Sequence, residues 1–474
     1  MNQPLSTEFV KSLQSSRKRQ LDEGFLTCGV GRRVLSKIER TPVWVIEDHP
    51  DLALEREKLL DKCLDFLVEA NERFGPMRDD SKTAKACRKS GMKVGLQGLY
   101  ARIIWYELLN QVTKLGDVGT NPNRDSIFPI EFAGDHAVIK ELISAGRTQE
   151  ASHSIIYEVV GKRLVKCAER LIEMRKTLPP TPVSIRLSIE RKDNGKKDTD
   201  PTVVLYRLSY NGVLLEISYE HMKKLLRLYR LHTDSDASVE DSIFLKRVFC
   251  VIQRYESLSG KSDGYQMAFP NVGFQYLKNN FYVKTECFAS PLNCYNSRFC
   301  SVARDTDQFF GSLGNFFKFD GPTGRLTEDD EGLELGGSFE ANPPFVEAIM
   351  NEMADRIFYL LRKYNGIAPF SFVVIVPAWE DCRGNIEMTN SEFQRPHPGK
   401  VLRLAKNQHD YRPGMQHKTT FTQQKSKVDT FVFFLQNDLG AQRWPVSERH
   451  YEELKVLLAE YSLVDLHNVL LVKS

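Results

Sequence analysis

The sequence has few of the features that mark secreted, membrane-spanning or metal-binding proteins. No stretch of 18 apolar residues occurs in its 474 residues, and the first 20 residues lack the apolar core of a signal peptide. The nine cysteines are odd in number and scattered, and no two of them have the CxxC spacing of a thiolate zinc site. We therefore expect a soluble, intracellular protein with reduced thiols, no membrane contact and no bound metal.

The chain also lacks a large net charge and a glycine-rich dinucleotide-binding loop. The 65 Lys and Arg residues against 62 Asp and Glu residues leave a formal charge of +3, so binding to a polyanion requires local clustering of charge. No GxGxxG motif follows a predicted strand, which argues against a nucleotide-binding oxidoreductase. The 41% hydrophobic residues are ordinary for a folded chain and exclude global disorder.

Hydrophobic periodicity predicts a helical domain over residues 1–180 and a mixed segment over 181–264. Three amphipathic helices are expected in the first part, beginning at Asp51, spanning Met92–Leu115, and running from about Glu150 to Leu178. Alternation of apolar and polar residues then predicts a β-meander over Val183–Ile189, Val203–Ser209 and Val213–Ile217. Helices follow near 218–231 and 238–257. The pattern leaves open whether the meander joins a later sheet.

Residues 265–474 have the pattern of an α/β domain. The expected strands are Phe281–Phe288, Ser338–Ala341, Phe370–Val376 and Thr430–Leu435, with a helix over Phe345–Tyr364. Continuous apolar strands such as FSFVVIV are typical of a sheet covered on both faces, as in doubly wound Rossmann-like folds. Ligands of such sheets bind at the carboxyl ends of the strands, so the residues after each strand are the candidates for chemistry.

The sharpest motif is Asn342-Pro343-Pro344-Phe345, which follows a short predicted strand. The Asn342 side-chain oxygen and the Pro343 carbonyl can accept hydrogens from an exocyclic amine such as adenine N6, and two prolines stiffen the loop. Phe345 offers a ring on which a base can stack, a contact worth about 1–3 kcal/mol. The alternative is that Asn342 and Pro343 merely begin a helix.

Six segments resemble the phosphorylated CTD-interacting factor family of cap-specific adenosine N6-methyltransferases, and they occur in the family's order: Glu286–Tyr295, Asp305–Ser312, Gly337–Phe345, Val374–Trp379, His409–His417 and Phe434–Asp438. The pair Arg254-Tyr255 is also similar to the family's sequence, but it is less specific to the family than these six segments. The resemblance implies a Rossmann-like class I methyltransferase domain over 265–474. It also implies methyl transfer from S-adenosylmethionine to N6 of the 2′-O-methyladenosine beside the 7-methylguanosine cap of mRNA. Methylation of internal RNA or DNA adenines, and an inactive cap- or RNA-binding homologue, stay open as alternatives.

By the same resemblance, Asn342, Pro343, Pro344 and Phe345 are the catalytic residues. The implied cofactor contacts are Phe288, Ala289, Ser290, Asn293, Asp307, Phe310, Ser312 and Glu340. The segment after the first strand replaces a glycine-rich loop, and its small Ala289 and Ser290 permit close approach of a ligand. Asp307 is preferred to Asp305 as the acid that holds a ribose, although either can be a solvated loop acid.

The RNA-binding face is predicted from local charge between residues 400 and 427. The stretch contains one acid, Asp410, and seven basic residues, Lys400, Arg403, Lys406, Arg412, Lys418, Lys425 and Lys427. Phosphates favour such a strip, although a charge run is often only a solvated face. The resemblance adds contacts to the cap or its triphosphate from Tyr411, Arg412, Gln416 and His417. Pro377 and Trp379, at the end of a strand, are candidates for stacking, although Trp379 can equally be a core residue.

The four tryptophans lie at positions 44, 105, 379 and 444, whereas a WW domain needs two about 20 residues apart. We therefore expect neither a WW domain nor WW-mediated binding to a polymerase tail. The expected partner is capped RNA, and the expected localisation is nuclear, with an additional cytoplasmic fraction left open. The oligomeric state and the number of methyl groups added stay open.

Overall fold

The computed structural model describes residues 46–73, 82–115, 121–134, 136–178, 183–192, 203–233, 235–259, 267–320, 336–414, 416–418 and 424–468. Its first part is helical: α1 (Pro50–Arg73), α2 (Lys82–Ser90), α3 (Met92–Leu115), α4 (His136–Ser144), α5 (Gln149–His153), a π-helical segment (Ser154–Gly161) and α6 (Lys162–Thr177). The three predicted amphipathic helices are confirmed. Residues 1–45 of the predicted helical domain lie outside the described residues.

Among the described residues, the meander forms a sheet of its own that does not join the larger one. Its strands are β1 (Arg186–Lys192), β2 (Val203–Tyr210) and β3 (Val213–Ser218), all antiparallel. Asn211 and Gly212 form the tight turn before β3 with φ angles of 45° and 80°, which these two residue types tolerate. Helices α7 (Tyr219–Thr233) and α8 (Ser242–Ser259) follow, as predicted.

The central sheet contains the strands β4 (Val283–Glu286), β5 (Arg298–Phe299), β6 (Gly337–Ala341), β7 (Phe370–Pro377), β8 (Leu402–Leu404) and β11 (Thr430–Gln436), whereas β9 (Asp410–Tyr411) and β10 (Gln424–Lys425) pair separately. The strand order across the central sheet is β5-β4-β6-β7-β11-β8. The four strands from β5 to β7 are parallel. Strand β11 runs antiparallel to β7, and β8 runs antiparallel to β11 and so has the same direction as the first four. The predicted α/β class is confirmed, and the mostly parallel sheet is compatible with a Rossmann-like domain.

The helices of this part of the chain are α9 (Asn271–Phe281), α10 (Arg304–Asp307), α11 (Glu347–Lys363), α12 (Arg383–Asn390), α13 (Asp438–Arg443) and α14 (Glu448–Asn468). Helix α11 packs on one face of the sheet, and α9 and α14 pack on the other. Alternate residues of β7 enter different cores. Phe372 and Val374 share one with Ile357 of α11, whereas Val373 packs in another with Leu454 of α14. This explains why β7 is apolar at nearly every position.

The helical region is attached to one end of the central sheet by an apolar core and a buried ionic network. One hydrophobic cluster runs from Leu64 of α1 to Phe299 of β5 and Ile349 of α11. Beside it, Arg254 of α8 bonds Asp48, which precedes α1, at 2.7 Å. These contacts hold α3 beside the carboxyl ends of the strands. Within the described residues, no helix combines the length and apolarity needed to cross a membrane.

Candidate functional site

A cleft opens at the carboxyl ends of β4, β5 and β6. The chain leaves β4, runs outward to β5 and returns to β6 on the other side, so the cleft lies at the topological switch point where doubly wound sheets bind ligands. Its walls come from the loops after these strands, from α3, α8 and α11, and from the segment before α9: Trp105, Leu109, Val112, Tyr255, Met267, Cys287, Phe288, Ala289, Ser290, Asn293, Cys300, Ser301, Val302, Asn315, Phe316, Phe317, Asn342, Pro344 and Ile349.

The loop after β4 is a rigid wall of the cleft. The Asn293 side-chain oxygen accepts hydrogen bonds from the Ser290 backbone at 2.7 Å and from the Ser290 hydroxyl at 2.9 Å. The Cys287 amide donates to the Glu340 carbonyl at 2.7 Å, which continues the sheet into the loop. Four predicted cofactor contacts, Phe288, Ala289, Ser290 and Asn293, are thus brought together in the lining.

Two other predicted cofactor contacts lie behind the lining. Asp307 is fully buried and accepts a 2.5 Å hydrogen bond from the hydroxyl of Tyr255, which faces the cleft. The Ser312 hydroxyl lies 2.7 Å from the hydroxyl of Ser301, another lining residue. Burial raises the pKa of Asp307 from 3.8 to about 7. Asp307 and Ser312 therefore hold two lining side chains in place.

The remaining two candidates, Phe310 and Glu340, are enclosed in the fold. Phe310 is fully buried and packs at a tilted angle against Tyr229. Glu340 is directly opposite Glu286 on the neighbouring strand, and the pKa of Glu340 is raised by burial and by that second carboxyl group. A neutral carboxyl group at Glu340 relieves the repulsion between the two side chains.

Asp305, the alternative to Asp307, has an ionic partner in the network that holds the helical region. Arg254 bonds both of its carboxylate oxygens, and the Ser126 hydroxyl donates to it at 2.5 Å. Asp305 is 1% exposed. Its role is structural.

Of the two polar atoms in the Asn342 side-chain amide, the nitrogen has a hydrogen-bond partner and the oxygen has none among the described residues. Its amide nitrogen donates to the Met267 carbonyl at 3.1 Å. Because a carbonyl only accepts hydrogen bonds, this contact fixes the orientation of the amide. The Asn342 Oδ1 atom has no hydrogen-bond partner within the described part of the chain. The alternative in which Asn342 caps the helix is not what the structure shows, since α11 is preceded by Val346.

The two prolines and Phe345 lie between β6 and α11. Pro344 lines the cleft, and its carbonyl accepts from the Val346 amide at 2.7 Å, which turns the chain toward the helix. The half-buried Phe345 ring meets the Tyr411 ring edge-on, with centroids 5.9 Å apart. Tyr411 is 1% exposed, and its hydroxyl lies 3.0 Å from that of Thr430. The Tyr411 ring therefore packs against Phe345 and helps to fix the position of its ring.

The predicted stacking residues after β7 lie away from the cleft lining. The Asn385 amide donates at 3.0 Å to the carbonyls of both Pro377 and Trp379, which fixes the chain at the end of the strand. Trp379 is half-buried and packs against the core beneath α11.

Much of the basic strip between residues 400 and 427 is paired with acids. The ion pairs, at 2.7 to 3.3 Å, are Lys400–Glu448, Arg403–Asp429, Lys418–Glu256 and Lys425–Asp410. His417 is fully buried, with Nε2 at 3.1 Å from Glu256. Gln416 is 3% exposed, and neither amide atom of its side chain has a partner within the described residues. The strip is therefore a weaker cationic surface than the sequence suggests.

Sequence reasoning missed one wall of the cleft. Trp105, Leu109 and Val112 reach it from α3, which the sequence marks only as amphipathic. The periodicity shows that one face of α3 is buried and does not show against which element. The sequence does contain a signal for Tyr255, because the pair Arg254-Tyr255 is similar to a segment of the family.

A family model described as "Phosphorylated CTD interacting factor 1 WW domain" matches residues 224–414, which include β4 to β7. An mRNA (2′-O-methyladenosine-N(6)-)-methyltransferase of Homo sapiens is 34% identical over 303 residues, which are 62% of this chain and 38% of the relative. The similarly named protein of Mus musculus is 34% identical over 300 residues, 62% of this chain and 37% of the relative. The chain thus spans well under half the length of these relatives.

The description of the matching family model includes a WW domain. This description conflicts with the prediction that the chain makes no WW-mediated contact with a polymerase tail. That prediction was based on tryptophan spacing alone, and it is withdrawn. In the structure, the described residues within the match form helices and the parallel strands of the central sheet.

Proposed function

We propose that this chain, which resembles the phosphorylated CTD-interacting factor family, is an S-adenosylmethionine-dependent methyltransferase. Its substrate is N6 of the 2′-O-methyladenosine beside the 7-methylguanosine cap of mRNA. One observation carries the proposal: the Asn342 oxygen, which has no hydrogen-bond partner among the described residues, lies at a cleft on the carboxyl ends of parallel strands. Residues 265–474 are then a Rossmann-like class I methyltransferase domain, preceded by a helical domain over 1–180 and the mixed segment 181–264.

The cleft suits a nucleoside cofactor. Small-molecule sites are typically lined by apolar side chains with a small number of polar groups that fix the ligand. The walls of the cleft are mainly apolar, with a few convergent polar side chains: Ser290, Asn293, Ser301, Asn315 and Asn342. When bound, S-adenosylmethionine supplies an electrophilic methyl group. Ser290, Asn293 and Ser301 would hold its polar groups, and Trp105 and Phe317 its apolar surface.

The chain's own contribution is to hold the amine. The lone pair of an adenine N6 is delocalised into the ring, so the nitrogen is a poor nucleophile until acceptors take its two hydrogens. Asn342 Oδ1 and the Pro343 carbonyl are those acceptors, and no donor among the described residues bonds to either. Pro343 and Pro344 fix the backbone, so the acceptors need no reorganisation when the base arrives.

Phe345 orients the base. Its ring stays half-buried because Tyr411 packs against it edge-on. Stacking on an aromatic ring is worth about 1–3 kcal/mol for each base. Phe345 follows Asn342 by three residues, so a base stacked on its ring would be held near the Asn342 acceptor.

Two oligonucleotides of one sequence test the proposal. Both begin with 2′-O-methyladenosine and contain internal adenosines, and only one carries the 7-methylguanosine cap. Each is incubated with labelled cofactor, and its nucleosides are analysed by mass spectrometry. We expect the N6-methylated first nucleoside from the capped RNA alone. Equal transfer to both RNAs, or transfer to internal positions, would favour the internal-adenine alternative. Intact RNA binding with no transfer would identify an inactive homologue.

The substrate also implies a location. We propose that the protein is nuclear, with a possible cytoplasmic fraction, because caps are added to transcripts in the nucleus. Fractionation of cells that express the full chain tests this, and a wholly cytoplasmic distribution would contradict it.

A further inference from the structure

Helix α7 is anchored to the loop between β4 and β5, residues 287–297, which we call the β4–β5 loop. These described residues form neither helix nor strand, so their backbone polar groups need partners outside regular secondary structure. The Lys224 ammonium group donates to the carbonyls of Leu292 at 3.1 Å and Cys294 at 2.9 Å. The two contacts lie on either side of Asn293, which lines the cleft.

A carboxyl group holds the next part of the same loop. Glu286, the last residue of β4, accepts hydrogen bonds from the amides of Tyr295 at 3.0 Å and Asn296 at 2.7 Å. The loop therefore has two of its carbonyls bonded to an ammonium group and two of its amides bonded to a carboxyl group. Hydrogen bonds with a charged partner are shorter and stronger than those between neutral groups.

His232, about two turns beyond Lys224 on α7, anchors the end of the loop. Its Nε2 atom lies 2.9 Å from the Ser297 carbonyl oxygen, and because a carbonyl only accepts, Nε2 carries the hydrogen. Burial lowers the pKa of His232 to about 4, which keeps the ring neutral at neutral pH. Gly311 leaves room for this contact, since a Cβ atom there would lie 2.3 Å from the Ser297 carbonyl oxygen.

The chemistry of Lys224 indicates that its bonds to the loop are what the position requires. The side chain is half-buried and burial lowers its pKa, so a cation is held here at a cost. Methionine has a similar length and helix propensity, so neither the space nor the helix requires a lysine. What methionine lacks is a donor for the two carbonyls. None of the described α7 residues is part of the cleft lining, so Lys224 acts on the cleft through the loop.

We propose, resting on the function proposed above, that Lys224 is a positioning residue for S-adenosylmethionine. Its bonds fix the backbone on both sides of Asn293, and the Asn293 side-chain oxygen in turn holds Ser290. Both lining residues are then in place before the cofactor arrives, so its binding does not have to order the loop. The mixed segment 181–264 thus contributes to the cofactor site through α7.

Steady-state kinetics of Lys224→Met at saturating capped RNA test this assignment. We expect the KM for S-adenosylmethionine to rise about tenfold and kcat to stay within about twofold of the wild type, the pattern of an interaction lost equally from ground state and transition state. Lys224→Arg keeps a cation with several N–H donors and should retain the wild-type KM.

Lys223→Met is the matched control, because Lys223 is exposed on the same helix and its ionic partner, Glu220, belongs to that helix. Its KM should equal that of the wild type. An unchanged KM in Lys224→Met, or an equal rise in Lys224→Arg or Lys223→Met, would overturn the proposal.

Hydrogen–deuterium exchange without cofactor tests the same contacts independently of methyl transfer. We expect Lys224→Met to speed exchange of the Tyr295 and Asn296 amides, whereas peptides from β6 and β7 keep their wild-type rates, since local opening is confined to the loop. Lys223→Met should match the wild type in all peptides. Faster exchange across the whole Lys224→Met protein would reveal a general loss of stability and would contradict the local role.

The two measurements separate this inference from the proposed function. If the wild type transfers methyl groups and Lys224→Met keeps both the KM and the loop exchange of the wild type, only this inference fails. If Lys224→Met speeds exchange in the loop and the wild type transfers nothing to either RNA, only the proposed function fails.

Discussion

Arg254 donates to both carboxylate oxygens of Asp305, at 2.8 and 2.7 Å, and both residues are 1% exposed. The same guanidinium bonds Asp48 at 2.7 Å, so it joins the start of the helical region to α10. The next residue, Tyr255, bonds Asp307 and faces the cleft. A buried ion pair thus determines where one wall of the proposed cofactor site lies.

Replacing Arg254 with methionine leaves two buried carboxylates without their shared partner. We expect the free energy of unfolding to fall by about 3–5 kcal/mol, the usual cost of breaking a buried pair from one side. Urea unfolding measures it. The matched control is Arg383→Met, which breaks the exposed 2.7 Å pair with Asp355 and should leave the midpoint unchanged. Similar midpoints for the two variants would contradict the structural role of Arg254.

Trp105 reaches the cleft from α3, so its loss should affect cofactor binding. We expect Trp105→Ala to raise the KM for S-adenosylmethionine about tenfold, because burial of a large apolar side chain is worth about 1.5–3 kcal/mol. Leu99→Ala is the control: Leu99 is buried in the same helix and is not part of the lining. That variant should lose stability and keep the wild-type KM. A raised KM in both variants would mean that the effect reports on helix stability alone.

Asp307 makes stability depend on pH. Its pKa is raised from 3.8 to about 7 by burial, so the folded protein binds a proton that the unfolded chain has released. The free energy of unfolding therefore falls between about pH 4 and pH 7, by at most about 1.4 kcal/mol per pH unit, and levels off above that. Asp307→Asn removes this contribution. The stability of this variant relative to the wild type should rise across that window, and a constant difference from pH 4 to pH 8 would refute the assignment.

Phe345 should act on the RNA and not on the cofactor. We expect Phe345→Ala to reduce kcat/KM for capped RNA by roughly 5- to 150-fold, the equivalent of about 1–3 kcal/mol of stacking. The KM for S-adenosylmethionine should stay constant. Phe345→Tyr preserves the ring and should stay near the wild-type rate. Equal losses in the two variants would show that packing against Tyr411, and not stacking on a base, explains the residue.

Local patterns predicted most of the elements, whereas long-range contacts decided the site. Strand β7 was predicted within one residue, because a strand buried on both faces is continuously apolar. Strand β5 has two residues and leaves no periodic signal. Asp305 and Asp307 look alike in sequence. Their environments differ in the fold, because Asp305 forms an ion pair with Arg254, about fifty residues earlier, whereas Asp307 accepts a hydrogen bond from Tyr255. The docking of α3 over the cleft is likewise a tertiary contact that periodicity does not encode.

The most direct test measures methyl transfer by Asn342→Ala at saturating capped RNA and cofactor, together with RNA affinity. Without its side-chain oxygen, the loop retains only the Pro343 carbonyl as an acceptor for the amine. We expect the rate to fall by at least about 10²- to 10³-fold, as when one preorganised polar group is removed from an active site. RNA binding should stay within a few fold of the wild type. A rate within twofold of the wild type would contradict the account.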